Sequence, residues 1–462
     1  MAARDLSEFF AAQAALVPAR RASFGRAERL AALEALRGAV EGARGEITAA
    51  LESDFGKHPV ETLLSEILPV LSEIAHARRH LRRWMRPRRV APSLAMLGSR
   101  ARIVPQPKGV ALVIAPWNYP FSLALGPLVS ALAAGCSVIV KPSEQTPVTS
   151  ALIARLIGAT FPPDLVAVAE GGADVSTGLL SLPFDHIFFT GSPAVGRIVM
   201  AAAAKHLTPV TLELGGKSPV ILGTDSDLAG AARWIAWGRF FNAGQTCVAP
   251  DHVYVPAGIA EAFADRLKEE VARMWSAPDA LAKIVSDRHW RRVKGLIDDA
   301  RAMGATVVTG GQGDAASRSL APTILTGTTG DMEVTREEIF GPVLPLIPYD
   351  DLGAVIAGIN AGPRPLALYV FGGQALADRV MRETSSGSVG VNLTLLTFAH
   401  ANLPFGGIGN SGLGAGHGEA GFRAFSHDKP VLTNRFLAMP MLFPPYGARV
   451  KRLAALVTRL SG

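Results

Sequence analysis

The chain has 462 residues, 49% hydrophobic and 18% charged, with 47 glycines and 32 prolines. This balance excludes a disordered or fibrous protein and fits a turn-rich globular one of about three domains. The 46 basic and 39 acidic residues leave a formal charge of +7, an excess that an anionic small molecule accounts for as readily as nucleic acid does.

The first part reads as helical. Leu30, Leu33, Leu36, Val40, Ile47 and Leu51 keep near-helical spacing. Leu64, Ile67, Leu71, Ile74 and Leu81 do so again behind Pro59, a helix opener. Pro69 should kink or interrupt this second helix. Arg4, Asp5 and Glu8 break up any apolar leader, and two cysteines offer no disulfide framework, so a reducing, cytoplasmic setting is expected. Arg78, Arg79, Arg82, Arg83, Arg86, Arg88 and Arg89 form the densest basic run. With only Trp84 among them there is no stacking platform for bases, so a solvated face or a subunit seam is expected rather than a nucleic-acid site. His76 and His80 share HxxxH spacing without the glutamate of a zinc motif, and no metal is expected.

From Val110 short apolar runs alternate with helical stretches. Candidate strands cover 110–115, 137–140, 165–169, 186–189 and 210–213. Gly109 to Val140 carries no charge or histidine, and that run exceeds the about 18 residues of a membrane helix. Pro116, Asn118, Pro120, Gly126 and Pro127 interrupt it, so the expectation is strand, loop, helix over 121–134, then strand. Such alternation argues for a mostly parallel, doubly wound sheet with helices on both faces and ligands at the strands' carboxyl ends. A second α/β unit follows, with strands over 249–255, 306–308, 344–347 and 368–371 and a polar, Gly-rich loop over 310–319. The tail carries Arg449, Lys451, Arg452 and Arg459 among Leu453, Leu456 and Val457. A basic amphipathic helix on a membrane surface is one reading; an ordinary docked or frayed terminus is favoured.

The chemistry concentrates at two places. Cys247 ends Asn242-Ala243-Gly244-Gln245-Thr246-Cys247, and Glu213 lies in Leu212-Glu213-Leu214-Gly215-Gly216-Lys217. A thiol among small residues and a carboxylate beside glycines suit covalent catalysis followed by general-base hydrolysis. A buried apolar role fits the other cysteine, Cys136, better, since Gly244, Gln245 and Thr246 make a poor core segment. The bland reading of Glu213 is a surface pair with Lys217. Gly215 and Gly216 argue against it, because glycines permit close backbone approach.

Both motifs resemble the aldehyde dehydrogenase superfamily. Further matches run in family order: Pro116-Trp117-Asn118, Lys141-Pro142-Ser143-Glu144, Phe189-Thr190-Gly191-Ser192, Glu338-Ile339-Phe340-Gly341-Pro342 and Pro404-Phe405-Gly406-Gly407. Asn118-Tyr119-Pro120 and the run Cys247-Val248-Ala249-Pro250-Asp251 resemble the class 3 branch. Pro183-Phe184-Asp185-His186 and the stretch from Leu207 to Glu213 most resemble coniferyl aldehyde dehydrogenases.

The resemblance implies an α/β fold with a Rossmann-type doubly wound cofactor domain, an α/β catalytic domain and a small oligomerisation arm. The implied segments are 1–87 and 107–210 for the cofactor domain, 211–400 for the catalytic domain, 88–106 and 401–435 for the bridging arm, and 436–462 for the tail. It implies Cys247 as nucleophile, Asn118 and the Cys247 backbone N–H as oxyanion donors, and Glu213 as the base that activates water. Each preorganised oxyanion donor is worth roughly 3–4 kcal/mol. For the cofactor it implies Trp117, Lys141 and Glu144, with the latter two at the adenosine ribose, then Gly191, Ser192 and Gly196 at the pyrophosphate, and Glu338 and Phe340 at the nicotinamide end. Glu144 favours NAD over a 2′-phosphate, with NADP also accepted in the class 3 branch. Tyr119, Phe241, Leu396 and Phe398 are candidates for an apolar substrate entrance. Gly416-His417-Gly418 stands where relatives carry Tyr-His-Gly, and Pro193 stands where they carry threonine. The expected activity is NAD(P)-dependent oxidation of a hydrophobic aldehyde to its acid by a homodimer; an acylating or reductive relative is the alternative. The GxGxxG strings at Gly407 and Gly416 follow no convincing strand and are not read as cofactor loops.

Overall fold

The uncharged run after Gly109 folds as strand, turn, helix and strand. Val110–Ile114 and Ser137–Lys141 are parallel neighbours buried along their whole length, and Ser122–Ala134 crosses between them. Strands covered on both faces carry unbroken apolar runs for this reason. In this computed structural model, which describes residues 3–93, 96–277, 280–436 and 439–461, three main sheets organise the chain.

The first sheet runs Gly412–Leu413, Val210–Leu214, His186–Gly191, Val110–Ile114, Ser137–Lys141, Val166–Val168. Only Gly412–Leu413 is antiparallel. The winding reverses beside Val110–Ile114: the chain first builds outward through Ser137–Lys141, then returns to lay His186–Gly191 on the other flank. The connections that leave Val110–Ile114 and its neighbour His186–Gly191 run in opposite directions, which opens a crevice between their carboxyl ends. The turn Pro116-Trp117-Asn118 and the turn Gly191-Ser192 therefore face the same crevice.

The second sheet has seven strands in the order Thr306–Thr309, Thr323–Thr326, Val343–Tyr349, His252–Pro256, Pro219–Leu222, Ala367–Phe371, Ser388–Val391. All pair in parallel except Thr306–Thr309. Three of these, Pro219–Leu222, Thr323–Thr326 and Ser388–Val391, are absent from the sequence reading. Within the Gly-rich loop, Gly313–Asp314 pairs with Ser319–Leu320 as a small hairpin. In the third sheet Ser99–Pro107 pairs antiparallel with Ser426–Asn434 along nine residues, and Arg88–Val90 lies at its edge. Residues 401–425 stay out of that sheet: Gly412–Leu413 joins the first sheet, and the helix Gly418–Ala424 packs on Ser122–Ala134.

The N-terminal helices Arg26–Gly42 and Arg44–Phe55 bury Leu33, Leu36, Val40, Ile47 and Leu51. Pro59 opens the next helix behind a His58 cap. The interruption expected at Pro69 lies just before it, as a widened π-helical turn over Leu63–Ile67, with Pro69 in the first turn of Leu68–Trp84. A π turn shifts the hydrogen-bond register, and Pro69 has no N–H to place in it. In the basic run Arg78 pairs with Glu34 and Arg83 with Glu419. Among the described residues no helix is long and apolar enough to cross a membrane. The tail ends in the helix Ala448–Ser461.

Candidate active site

The helix Leu228–Phe240 breaks into a loop whose backbone is unusual. Asn242, Ala243 and Gly244 have φ of 53°, 53° and 69° in succession. A Cβ on Gly244 would lie 2.3 Å from the Gly341 carbonyl oxygen, so glycine alone fits there. Left-handed Asn and Ala cost energy that surrounding contacts must hold in place. The contacts are present: Asn242 N–H donates to Glu61 Oε2 at 3.0 Å, and its side-chain amide donates to the Asn118 carbonyl at 3.0 Å. Gln245 Nε2 donates to the carbonyls of Asn242 and Lys283, and its Oε1 accepts from Val285 N–H. The loop so fixed sets half-buried Cys247 into the wall of a cavity of about 490 Å³.

Burial pushes the Cys247 thiol up to about 12, and Glu338 and Glu213 push the same way. Its own backbone N–H and that of Val248 favour the thiolate but are outweighed. At neutral pH the resting group is therefore the thiol, and attack requires a base to take its proton. Glu213, next to the last residue of Val210–Leu214, is buried in the same cavity wall. Neither of its carboxyl oxygens makes a hydrogen bond. Burial pushes its carboxyl well above the ordinary range, with a smaller counter-pull from the Gly416 N–H. Lys217 is engaged elsewhere, on Asp251 and the carbonyls of Val334 and Glu337, so the surface pair with Glu213 does not form.

Asn118 is buried at the turn after Val110–Ile114 and lines the cavity. One N–H of its side-chain amide donates to the Gln245 carbonyl at 3.0 Å; an amide has a second to offer. Trp117 and Phe340 meet edge to face at 5.3 Å, and Trp117 also meets His289 at 5.0 Å. Glu338 is pushed up to about 7 by burial, eased by the Gly216 N–H. The adjacent glycine explains its approach: a Cβ on Gly215 would lie 2.4 Å from a Glu338 carboxyl oxygen. Tyr119 hydrogen-bonds Thr246 Oγ1 at 2.5 Å.

One cavity thus gathers Cys247, Glu213, Asn118, Trp117, Tyr119, Gly191, Ser192, Glu338 and Phe340. Phe241, Leu396 and Phe398 line it as well, with Leu64, Leu68 and Trp237. Lys141, Glu144 and Gly196 are outside its wall. Lys141 ends its strand beside Ile114 and holds Glu144 at 2.6 Å. Gly196 faces the sheet, where a Cβ would lie 2.7 Å from Leu214 Cδ2, so it serves helix packing rather than the cavity. Pro193 occupies the first turn of Pro193–Ala204, where proline fits, behind the Ser192 cap. That helix N-terminus, with Ser192 and Gly191 in the cavity wall, suits an anionic pyrophosphate, so the residues present fit a dinucleotide. Sequence reasoning missed the groups that brace the loops, namely Lys57, Glu61, Glu66, Asn242 and Gln245. A lysine and two glutamates at a helix start read as solvated charge, and no sequence signal marks them otherwise.

The family model for the aldehyde dehydrogenase family matches residues 5–431. A Pseudomonas aeruginosa protein named probable coniferyl aldehyde dehydrogenase is 46% identical over 436 residues, covering 92% of this chain and 90% of that protein. The Rattus norvegicus dimeric NADP-preferring aldehyde dehydrogenase is 43% identical, covering 92% and 94%. Among solved structures, the substrate-bound state of Staphylococcus aureus AldH superposes with a TM-score of 0.93 at 37% identity, covering 98% and 99%. A Mycobacterium tuberculosis aldehyde dehydrogenase complexed with NAD+ gives a TM-score of 0.86 at 29% identity, covering 94% and 91%.

Proposed function

The chain belongs to the aldehyde dehydrogenase family, and from that premise we propose that it oxidises hydrophobic aldehydes, coniferyl-type aromatic or aliphatic, to carboxylic acids with NAD or NADP through a thioester on Cys247. The observation that carries this reading is the meeting of Cys247, Glu213 and Asn118 in one cavity whose wall also holds Trp237, Phe241, Leu396, Phe398, Leu64 and Leu68. The likeness to a protein named for coniferyl aldehyde supports the aromatic choice.

The chain's own groups divide the work. The Cys247 thiol gives its proton to solvent water as it attacks, with the N–H groups of Cys247 and Val248 favouring the thiolate. Cys247 sulfur adds to the carbonyl carbon. The free Asn118 amide N–H and the Cys247 backbone N–H stabilise the oxyanion, where uncharged donors add no ground-state charge. A bound NAD or NADP would supply the hydride acceptor at this point, leaving the thioester on Cys247. The Glu213 carboxylate then takes a proton from water as it attacks the thioester, and the adduct collapses to the acid as Glu213 returns that proton to the leaving sulfur. Trp117 and Phe340 would pack beside the nicotinamide end, Glu338 would hold its ribose, Gly191 and Ser192 would hold the pyrophosphate, and Lys141 and Glu144 would meet the adenosine ribose. The exposed sheet formed by Ser99–Pro107 and Ser426–Asn434 is the seam of a homodimer, a reading that the rat relative's name supports. A panel of cinnamyl-type, benzyl and long-chain aldehydes with NAD and NADP tests the function. Acid as product supports it. Acyl-CoA formation, or no reduced cofactor with any aldehyde, refutes it.

A further inference from the structure

Beneath the cavity lies a buried ionic cluster that takes no part in the steps above. We propose that Lys57 and Glu66, with Glu61 beside them, are positioning residues that lock the Asn118 turn and the 242–247 loop against each other, and so aim the Asn118 amide as oxyanion donor; this rests on the functional reading above.

Lys57 and Glu66 are both 0% exposed and 2.6 Å apart. Lys57 Nζ also donates to the Asn118 backbone carbonyl at 3.1 Å and sits 4.2 Å from the centre of the Tyr119 ring. Its three protons therefore have a carboxylate, a carbonyl and a ring face to meet. The second oxygen of Glu66 accepts from the N–H groups of Phe121 and Ser122 at 3.1 and 2.9 Å, which pins the start of Ser122–Ala134 directly after Asn118. Glu61 holds the other loop through Asn242 N–H. Asn242 completes the circuit by donating to the same Asn118 carbonyl as Lys57 does. One carbonyl is thus gripped from two elements far apart in the sequence, and the side chain it carries is the oxyanion donor.

The π turn makes this possible. On a regular α-helix Glu61 and Glu66 would face about 140° apart. The widened turn over Leu63–Ile67 brings both inward. Stability is a poor reason to keep such a cluster, because apolar residues of similar size often do as well as a buried ion pair. Geometry is a better one, since a misplacement of about 1 Å at a reacting centre can cost about 100-fold in rate.

The test is a double variant, Lys57→Met with Glu66→Gln, made in the wild type and in Asn118→Ala. It removes both charges at nearly constant volume. The expected result is a folded protein with unchanged NAD affinity whose kcat and kcat/KM fall together by about 10- to 100-fold. In the Asn118→Ala background the same change should add no further loss, because the donor it aims is gone. A lower melting temperature with unchanged kcat, or losses that multiply on Asn118→Ala, overturns the proposal. If the double variant does not fold, Glu66→Gln alone should show a smaller loss of kcat, and unchanged kcat overturns it. A wild type that oxidises no aldehyde sinks the functional reading instead. Iodoacetamide then reads the loop directly: alkylation of Cys247 several-fold faster in the variant supports the lock, and an unchanged rate refutes it.

Discussion

Glu338→Gln should make the protein more stable, but only where Glu338 would be charged. Its carboxyl is packed against Gly215, with Asp251 adding like charge, and is pushed from 4.5 up to about 7, while the Gly216 N–H, Arg292 and Lys217 pull it down. A group whose folded value is raised binds more protons folded than unfolded between those two values. Below about pH 4.5 the carboxyl is neutral in both states and contributes no penalty. Between about 4.5 and 7 its ionisation erodes stability by close to 1.4 kcal/mol per pH unit, and above 7 the penalty levels off at about 3 kcal/mol. Glutamine keeps the shape and cannot ionise. For a chain of this length about 3 kcal/mol corresponds to roughly 3 °C in melting temperature. Melting curves of both proteins at pH 4.5, 6 and 8 should therefore show a gap that opens in favour of the variant as pH rises. A gap that is constant, or that opens the other way, would mean that water reaches Glu338 and that its burial is misread.

Asn118→Ala should lower kcat and kcat/KM together by about 100- to 1,000-fold. Its stability cost should be only about 1 kcal/mol, because the Gln245 carbonyl keeps the Asn242 amide as a donor; steady-state kinetics beside calorimetry separate the two. In the wild type, kcat should climb as pH rises through the raised value of Glu213, since its charged form is the base. Glu213→Gln should lose that climb, with kcat about 100- to 10,000-fold lower across the profile. Phe398→Ala should raise KM for cinnamyl-type aldehydes more than for short aliphatic ones while leaving kcat nearly unchanged, because its ring lies in the cavity wall against Phe405 and His417.

The legible parts of this chain are those where local pattern and final environment agree. The run from Gly109 to Val140 reads correctly because both strands are buried on both faces and the prolines fall in the turn. Pro219–Leu222, Thr323–Thr326 and Ser388–Val391 escape notice because each has four residues and begins with proline, threonine or serine. Their strand state comes from neighbours already in place, not from their own periodicity. Cys247 and Glu213 stand out because a thiol and a carboxylate beside glycines and small residues have little structural use, whereas Asn118, between Trp117 and Tyr119, reads alone as a turn residue and gains its role only beside those two motifs. Gly196 carries a need its place in a glycine string does not show: it makes room for Leu214. Lys57 and Glu66 could not be read at all, since burying a lysine depends on partners that arrive from Asn118, Phe121 and Ser122.

The central claim is that sulfur at position 247 carries the acyl group. Glu213→Gln mixed with NAD and a cinnamyl-type aldehyde, then quenched within the first turnover, should release about one NADH per active site. Intact-mass and peptide mapping should find the matching acyl group on Cys247, and Cys247→Ala should show neither burst nor adduct. An acyl group on another residue, or a burst that survives Cys247→Ala, would contradict the account.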